Sequence, residues 1–355
     1  KPQIFPNTHK YVIECLESTW ISSRGKFIET FENEFSKYLN INNSTSVSNG
    51  TTALHMCLCA LGIKRDDEVI VPSLTYVASV NAIRYVGAKP VFCDSDSSTW
   101  NLDARKLDKL ITKKTKAIMA VHLYGNPCDM GALRKLCDSH GLYLIEDVAE
   151  ALGSSYESNF LGTFGDISSF SFFGNKTITT GEGGMVVSNK KELINKVRML
   201  KNQGSSDQKY WYEEVGYNYR MTNICAAIGL SQLEKIESIL KRKRQVADLY
   251  KKLLKDYPLD MQVIQTKGKS SYWLISVLTE NKKIRESLCS FLSNSGIETR
   301  PLFYPAHTMP MYASDIKFPV ADDLSVRGLC LPSYPDLTDR DIEIITDCIK
   351  DFFNS

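Results

Sequence analysis

Apolar residues recur at helical spacing through the first forty positions (Ile13, Leu16, then Ile28, Phe31, Phe35), which predicts two helices over 7–40 joined by the polar stretch Ser18–Gly25. The pattern then shortens to runs of strand length at Ser44–Val47, Glu68–Val71, Pro90–Cys93, Ala117–Val121 and Tyr143–Glu146. Helices are predicted between them, from 50 to about Leu61 and near 75–86, 103–111 and 129–139. Short apolar strands alternating with helices predict an α/β fold, a mostly parallel sheet covered on both faces, with ligands bound beyond the carboxyl ends of its strands. Two more strands, one carrying Ile167, Phe170 and Phe172 and one Met185–Val187, flank a glycine-rich turn. A helix over 190–200 and a long helical tract from about 223 to 256 follow; Lys241–Arg244 within it reads as a solvated stretch. Beyond about 257 the pattern is that of a smaller α+β unit, with strands at Trp273–Leu278 and 297–300 and helices at 282–294 and 338–353. The expected division is a large domain over 1–240 and a small C-terminal domain over 241–355, the N-terminal helices packing near the small one.

Composition leaves this picture intact. A chain of 355 residues can bury a large core, and 43% hydrophobic with 24% charged residues is ordinary for a globular protein. A net charge of +2 argues for neither a nucleic-acid partner nor an anionic membrane surface. The ten cysteines are scattered without a CxxC pair, and the histidines lack metal-ligand spacing, so buried thiols and no metal are expected. No apolar run reaches membrane-spanning length and Lys1-Pro-Gln is not a signal-peptide start, so a cytoplasmic location is the expectation.

The chemistry concentrates around one lysine. Lys176 follows the Phe170–Phe172 strand and Gly174-Asn175, and precedes small hydroxylated residues and three glycines. A lysine delivered by a strand into such a turn can be partly desolvated, and a neutral amine can attack a carbonyl. Upstream, S-N-G-T-T opens a helix after a strand. Unpaired N–H groups and the helix dipole there suit a phosphate, with Gly50, Thr51 and Thr52 as donors, although Ser48 or Asn49 as a plain N-cap would leave the same trace. Asp147 and Glu150 follow the strand ending at Glu146, where a carboxylate can equally cap a helix; Tyr76, beyond another strand end, could lie flat on a ring.

These segments, with E-V-I-V-P, V-H-L-Y-G-x-P-C-D-M, I-E-D-x-A-E-A-x-G, F-F-G-N-K-T-I-T-T-G-E-G-G-M, G-Y-N-Y-R-M-T and L-C-L-P-S, span nearly the whole chain and resemble the DegT/DnrJ/EryC1/StrS sugar aminotransferases. The resemblance implies the type I fold of aminotransferases that use pyridoxal 5′-phosphate (PLP), anchored covalently on Lys176. It also implies Asp147 at the pyridine nitrogen, Glu150 beside the ring, Ser171 with the phosphate loop, and a homodimer in which Asn218 reaches the partner's phosphate. Arg220 is a candidate for a substrate carboxylate, and Trp20, Arg24, Tyr304 and His307 for a sugar-nucleotide cleft. The implied reaction moves an amino group from L-glutamate to C4 of a nucleotide-linked 4-keto-6-deoxyhexose, GDP-linked, for O-antigen or another surface polysaccharide. The alternatives are a dTDP-linked 4-keto sugar, amination at C3, and a non-catalytic protein that kept the fold.

Overall fold

The computed structural model describes residues 2–355. Its large sheet has seven strands: β1 (Asn43–Val47), β2 (Glu68–Pro72), β3 (Lys89–Cys93), β4 (Thr115–Val121), β5 (Tyr143–Asp147) and, after the short pair β6 (Ser155–Tyr156) and β7 (Asn159–Phe160), β8 (Ile167–Ser171) and β9 (Gly184–Ser188). The order is β1-β9-β8-β5-β4-β2-β3. Only β9 runs antiparallel to its neighbours, so β1, β2, β4, β5 and β8 all end at the same edge.

Alternation along the strands separates two apolar faces. Ile70, Ile118, Ala120 and Leu144 point to one core, and Val69, Val71, Ala117, Met119, Val121 and Ile145 to the other. On the first side lie α1 (Pro6–Glu17) and α2 (Lys26–Leu39), whose Phe27, Phe31, Phe35 and Leu39 form one buried stripe. On the second lie α3 (Gly50–Ala60), α4 (Val77–Tyr85) and, later in the chain, α6 (Lys191–Leu200); α5 (Met130–His140) returns to the first.

The N-terminal helices correct one expectation. They pack not near the small sheet but on α7 (Asn223–Leu233) and the large-sheet core, where Phe31 and Phe35 meet Phe172. Only the segment before α1 reaches the other end, where the Gln3 amide bonds Asp336. The expected helix over 103–111 is also absent: two 3₁₀ turns, 104–106 and 108–110, replace it, because Ala104, Leu107 and Leu110 repeat every three residues.

The long helical tract is broken at Glu234–Lys235, and α8 (Ile236–Leu254) carries on alone. The division expected at 240/241 falls inside this helix. Ile236, Ile239 and Leu240 sit in the large-sheet core, whereas Val246, Ala247, Tyr250 and Leu254 pack with α9 (Lys282–Asn294) and α11 (Asp339–Asn354). These cover a four-stranded antiparallel sheet, β10 (Asp260–Met261), β12 (Ile275–Leu278), β14 (Gly328–Leu331) and β13 (Arg300–Pro301). The connecting strand β11 (Gly268–Lys269) pairs with β6. The helix α10 (Pro319–Arg327) escaped the sequence reading, although Pro319 at its first position was a usable start signal.

Candidate active site

Several functional side chains stand at the common strand edge. Asp147 closes β5 and is buried; Ser79 donates its hydroxyl to Oδ2 (2.7 Å) and Ala149 its N–H to Oδ1 (3.1 Å). The preceding Glu146, fully buried, holds the turn that leads into β8. Its carboxylate accepts from the N–H groups of Gly162, Phe164 and Gly165 and from His122 Nε2. Burial pushes this carboxyl up, but His122 and the N–H groups outweigh it and hold it below the ordinary range.

After β1 the chain enters α3 through a reciprocal cap. Thr52 donates its N–H to Asn49 Oδ1 (2.9 Å) and its hydroxyl to Asn49 O (2.8 Å), and accepts the Asn49 N–H. Thr52 is therefore engaged in the cap, which leaves the first-turn N–H groups of Gly50 and Thr51 as the donors with no carbonyl inside the helix. Ser171, the last residue of β8, lies against Gly50: a Cβ there would stand 2.6 Å from the Ser171 Cβ. Glycine is required at this approach, and the result is a small cradle of N–H groups and a hydroxyl at the positive end of a helix.

Lys176 lies in the turn beyond β8, its N–H bonded to Phe173 O (2.9 Å). Nζ is 3.9 Å from Glu150 Oε1 and 3.9 Å from the centroid of Trp273, with the side chain 12% exposed. Burial lowers the amine pKa, and the Glu150 and Asp147 charges restore only part of it. Burial likewise pushes Glu150 up, to about 7, against the pull of Lys176 and of the Tyr124 N–H, which donates to Oε2 (2.9 Å). The direction of the shift favours the neutral amine, the form a nucleophilic lysine needs.

Two residues of this constellation were missed. Tyr124 is buried at φ 56°, a conformation that aims its N–H at Glu150, while its hydroxyl accepts from the Phe303 N–H (2.9 Å). Trp273 arrives because Gly125 has no side chain: a Cβ there would stand 2.9 Å from the Trp273 nitrogen. Neither residue carries a local signal, since both depend on contacts between segments distant in sequence.

Other expected positions lie further out. Tyr76 is 55% exposed and tilts against Phe303 at 5.6 Å. Asn218 is exposed and accepts from Arg220 Nη2 (3.0 Å), while Arg220 Nε is buried without a hydrogen-bond partner among the described residues. Their segment borders the cradle, because Tyr219 O accepts the Ser48 N–H (2.8 Å). Trp20 and Arg24 are exposed on a loop clamped by buried Asn223, which donates to Trp20 O (2.7 Å) and accepts the Phe27 N–H (3.0 Å). Tyr304 is exposed. His307, expected in the cleft, is buried, Nδ1 at 2.6 Å from Ser73 Oγ and Nε2 at 3.2 Å from Asp322 Oδ1, so both ring nitrogens are engaged by those two groups.

A cavity of about 820 Å³ opens between the lysine turn and the small sheet. It touches Lys176, Trp273 and Arg300, but none of Gly50, Asp147, Glu150 or Ser171 lines it. Lys243 lines it too, which corrects the reading of 241–244 as solvated: Lys243, Val246, Ala247 and Tyr250 form the buried stripe of α8.

A lysine amine in a glycine-rich turn, a buried carboxylate at a strand end and a helix-capped anion cradle define a PLP-type aminotransferase site, and comparison with known proteins agrees. The chain matches the DegT/DnrJ/EryC1/StrS aminotransferase family over residues 2–350, and it belongs to that family. It is 52% identical to a GDP-perosamine synthase of Escherichia coli O157:H7 and 50% identical to one of Vibrio cholerae, covering 100% of this chain and 98% of each relative. Helicobacter pylori PseC, an aminotransferase involved in pseudoaminic acid biosynthesis, superposes with a TM-score of 0.95 at 28% identity, covering 100% of this chain and 98% of that one. A Streptococcus pneumoniae chain solved in its PLP form superposes with a TM-score of 0.93 at 27% identity, covering 99% and 97%. The fold is thus that of the PLP-dependent aminotransferases, and the cofactor is PLP. The residues fit it: the cradle that a Gly50 Cβ would fill suits a phosphate, and among the described residues the Lys176 amine has no ion pair closer than 3.9 Å.

Proposed function

We propose that this enzyme moves the amino group of L-glutamate to C4 of GDP-4-keto-6-deoxymannose, giving GDP-perosamine for O-antigen or a similar surface polysaccharide. The observation that carries this reading is identity of 50–52% to GDP-perosamine synthases over the full chain. Bound PLP supplies an electron sink for the carbon that gives up its proton. Gly50, Thr51 and Ser171 would hold its phosphate, and Asp147, oriented by Ser79 and Ala149, would keep a proton on its ring nitrogen. Lys176 would anchor it and, once released, carry the proton from Cα of the donor and later return one to C4 of the sugar. Glu150, 3.9 Å from Nζ, would bias that amine's protonation while lying beside the ring. Tyr76, exposed at the rim, would cover the ring.

The same reading makes the enzyme a homodimer with shared sites, Asn218 reaching the partner's phosphate cradle and Arg220 orienting a substrate carboxylate. Trp20, Arg24 and Tyr304 would meet the nucleotide sugar, arginine matching the diphosphate. We also propose two domains, 1–240 and 241–355, with α8 bridging the division. A cytoplasmic location suits the ten free cysteines, and no helix among the described residues is long and apolar enough to cross a membrane.

The test is kcat/KM for the GDP-linked 4-keto sugar against its dTDP-linked counterpart at one glutamate concentration. A tenfold preference for the dTDP sugar, about 1.4 kcal/mol of transition-state binding, would overturn the GDP assignment; a product aminated at C3 would overturn the C4 assignment.

A further inference from the structure

Lys243 is a charged side chain where the fold supplies nothing to neutralise it. It is 5% exposed, on the buried face of α8, and Nζ donates to Trp273 O (3.1 Å) and Ser333 O (3.0 Å). An ammonium has three donors, and among the described residues no carboxylate forms an ion pair with this one. Burial alone pulls its pKa down, to about 8, with no nearby charge pushing it back. A buried cation without a counter-charge is costly, and a ligand anion removes that cost.

The surroundings say what kind of anion. Lys243 lines the same cavity as Lys176, and both touch one residue: Lys176 Nζ lies over the Trp273 ring and Lys243 Nζ on its carbonyl. Trp273 thus lies between the two side chains, and an anion held by Lys243 in this cavity would lie on the same side of the molecule as the reactive lysine. The acidic residues lining this cavity are engaged elsewhere, Glu298 with Arg300 (3.5 Å) and Asp341 in the cap of α11 with Thr338 (2.6 Å). We propose that Lys243 binds a carboxylate of the amino donor, so that the cavity between the lysine turn and the small sheet is the dicarboxylate subsite. The proposal deepens the function above and rests on glutamate being the donor.

The test uses the PLP-loaded enzyme and Lys243→Gln, which removes the charge but keeps an N–H donor for the exposed carbonyls. Two quantities are read: the half-saturating L-glutamate concentration for the absorbance change of the bound cofactor, and the Kd of glutarate, a dicarboxylate without an amine, by calorimetry. The expected result is a rise of tenfold or more in both, with half-saturation by the keto-sugar nucleotide unchanged within twofold. Donor values within twofold of wild type in a folded variant overturn the proposal. A rise confined to the sugar nucleotide overturns it in favour of a phosphate contact. If wild type shows no response to L-glutamate yet binds glutarate through Lys243, the choice of donor fails and the subsite stands. Should the variant not fold, glutaramate, with one carboxylate fewer, must bind wild type at least tenfold more weakly than glutarate; equal binding overturns the proposal.

Discussion

The indole of Trp273 lies under the Lys176 amine, Nζ 3.9 Å from the ring centroid, and donates its N–H to the carbonyl of Asn175 (2.8 Å), the residue just before that lysine. The ring thus supports the amine from one side and holds the turn that carries it. A cation over an aromatic face is favourable, and an indole N–H that finds a carbonyl when buried is satisfied. Trp273 is thus a direct link between the small-sheet side of the molecule and the reactive group.

Borohydride reduction of the wild-type holoenzyme should leave the cofactor on the peptide containing Lys176. In Lys176→Ala the cofactor should wash out after reduction, and turnover should fall by a thousandfold or more, about 4 kcal/mol of barrier. Near-normal turnover would remove Lys176 from the chemistry.

Asp147→Asn keeps an oxygen for the Ala149 N–H, so the melting temperature should change little. The negative charge is what disappears, and turnover should drop on the order of a thousandfold. A large loss of stability with little loss of rate would reduce Asp147 to a structural cap.

Gly50→Ala places a methyl 2.6 Å from the Ser171 Cβ, at the end of a strand that cannot easily yield. Overpacking of this kind costs about 1–3 kcal/mol. PLP affinity, followed by spectroscopic titration, should fall by roughly one to two orders of magnitude. Unchanged affinity would mean that the phosphate sits elsewhere.

Glu150 gives a pH signature. Its folded-state value of about 7 lies above the ordinary 4.5, so between these limits the folded cofactor-free protein binds more protons than the unfolded chain. Stability contributed by this group is therefore fully present below about pH 4.5 and is lost as pH rises toward 7, by about 3 kcal/mol. Denaturant unfolding of Glu150→Gln should lack this decline, so the variant gains on wild type from pH 5 to pH 8. Parallel profiles would show that the carboxyl is not held up by burial.

Subunit sharing predicts complementation. Lys176→Ala and Asn218→Asp proteins should each be impaired, and after mixing and subunit exchange up to about a quarter of the sites' activity should return, from sites intact in both residues. No recovery despite demonstrated exchange would put Asn218 in its own chain's site or outside it.

What the sequence reveals here is what is locally encoded. Lys176, Asp147 and the Gly50 turn sit in strand ends and turns whose residue types are set by backbone geometry, so pattern and resemblance both find them. Thr52 shows the limit of that reasoning: its residue type fits a phosphate donor, yet its hydroxyl serves Asn49. His307 is a candidate for the sugar-nucleotide cleft in the sequence, but its burial against Ser73 and Asp322 depends on where its loop docks. Trp273, Tyr124 and Lys243 were invisible for the same reason. Each gains its role only when segments more than twenty residues apart meet, as when Lys243 finds the carbonyl of Ser333.

The helix α8 belongs to both cores without a break, seated by Ile239 and Leu240 in one and by Val246, Ala247 and Tyr250 in the other. Its 19 residues make a rod of about 28 Å. A rod anchored at both ends behaves as a strut and not as a flap. The small sheet is thus joined to the large-sheet core by a continuous helix, and Lys243 on that helix bonds the Trp273 carbonyl. The helix that unites the two cores therefore also holds the backbone of the residue whose ring lies under the reactive lysine.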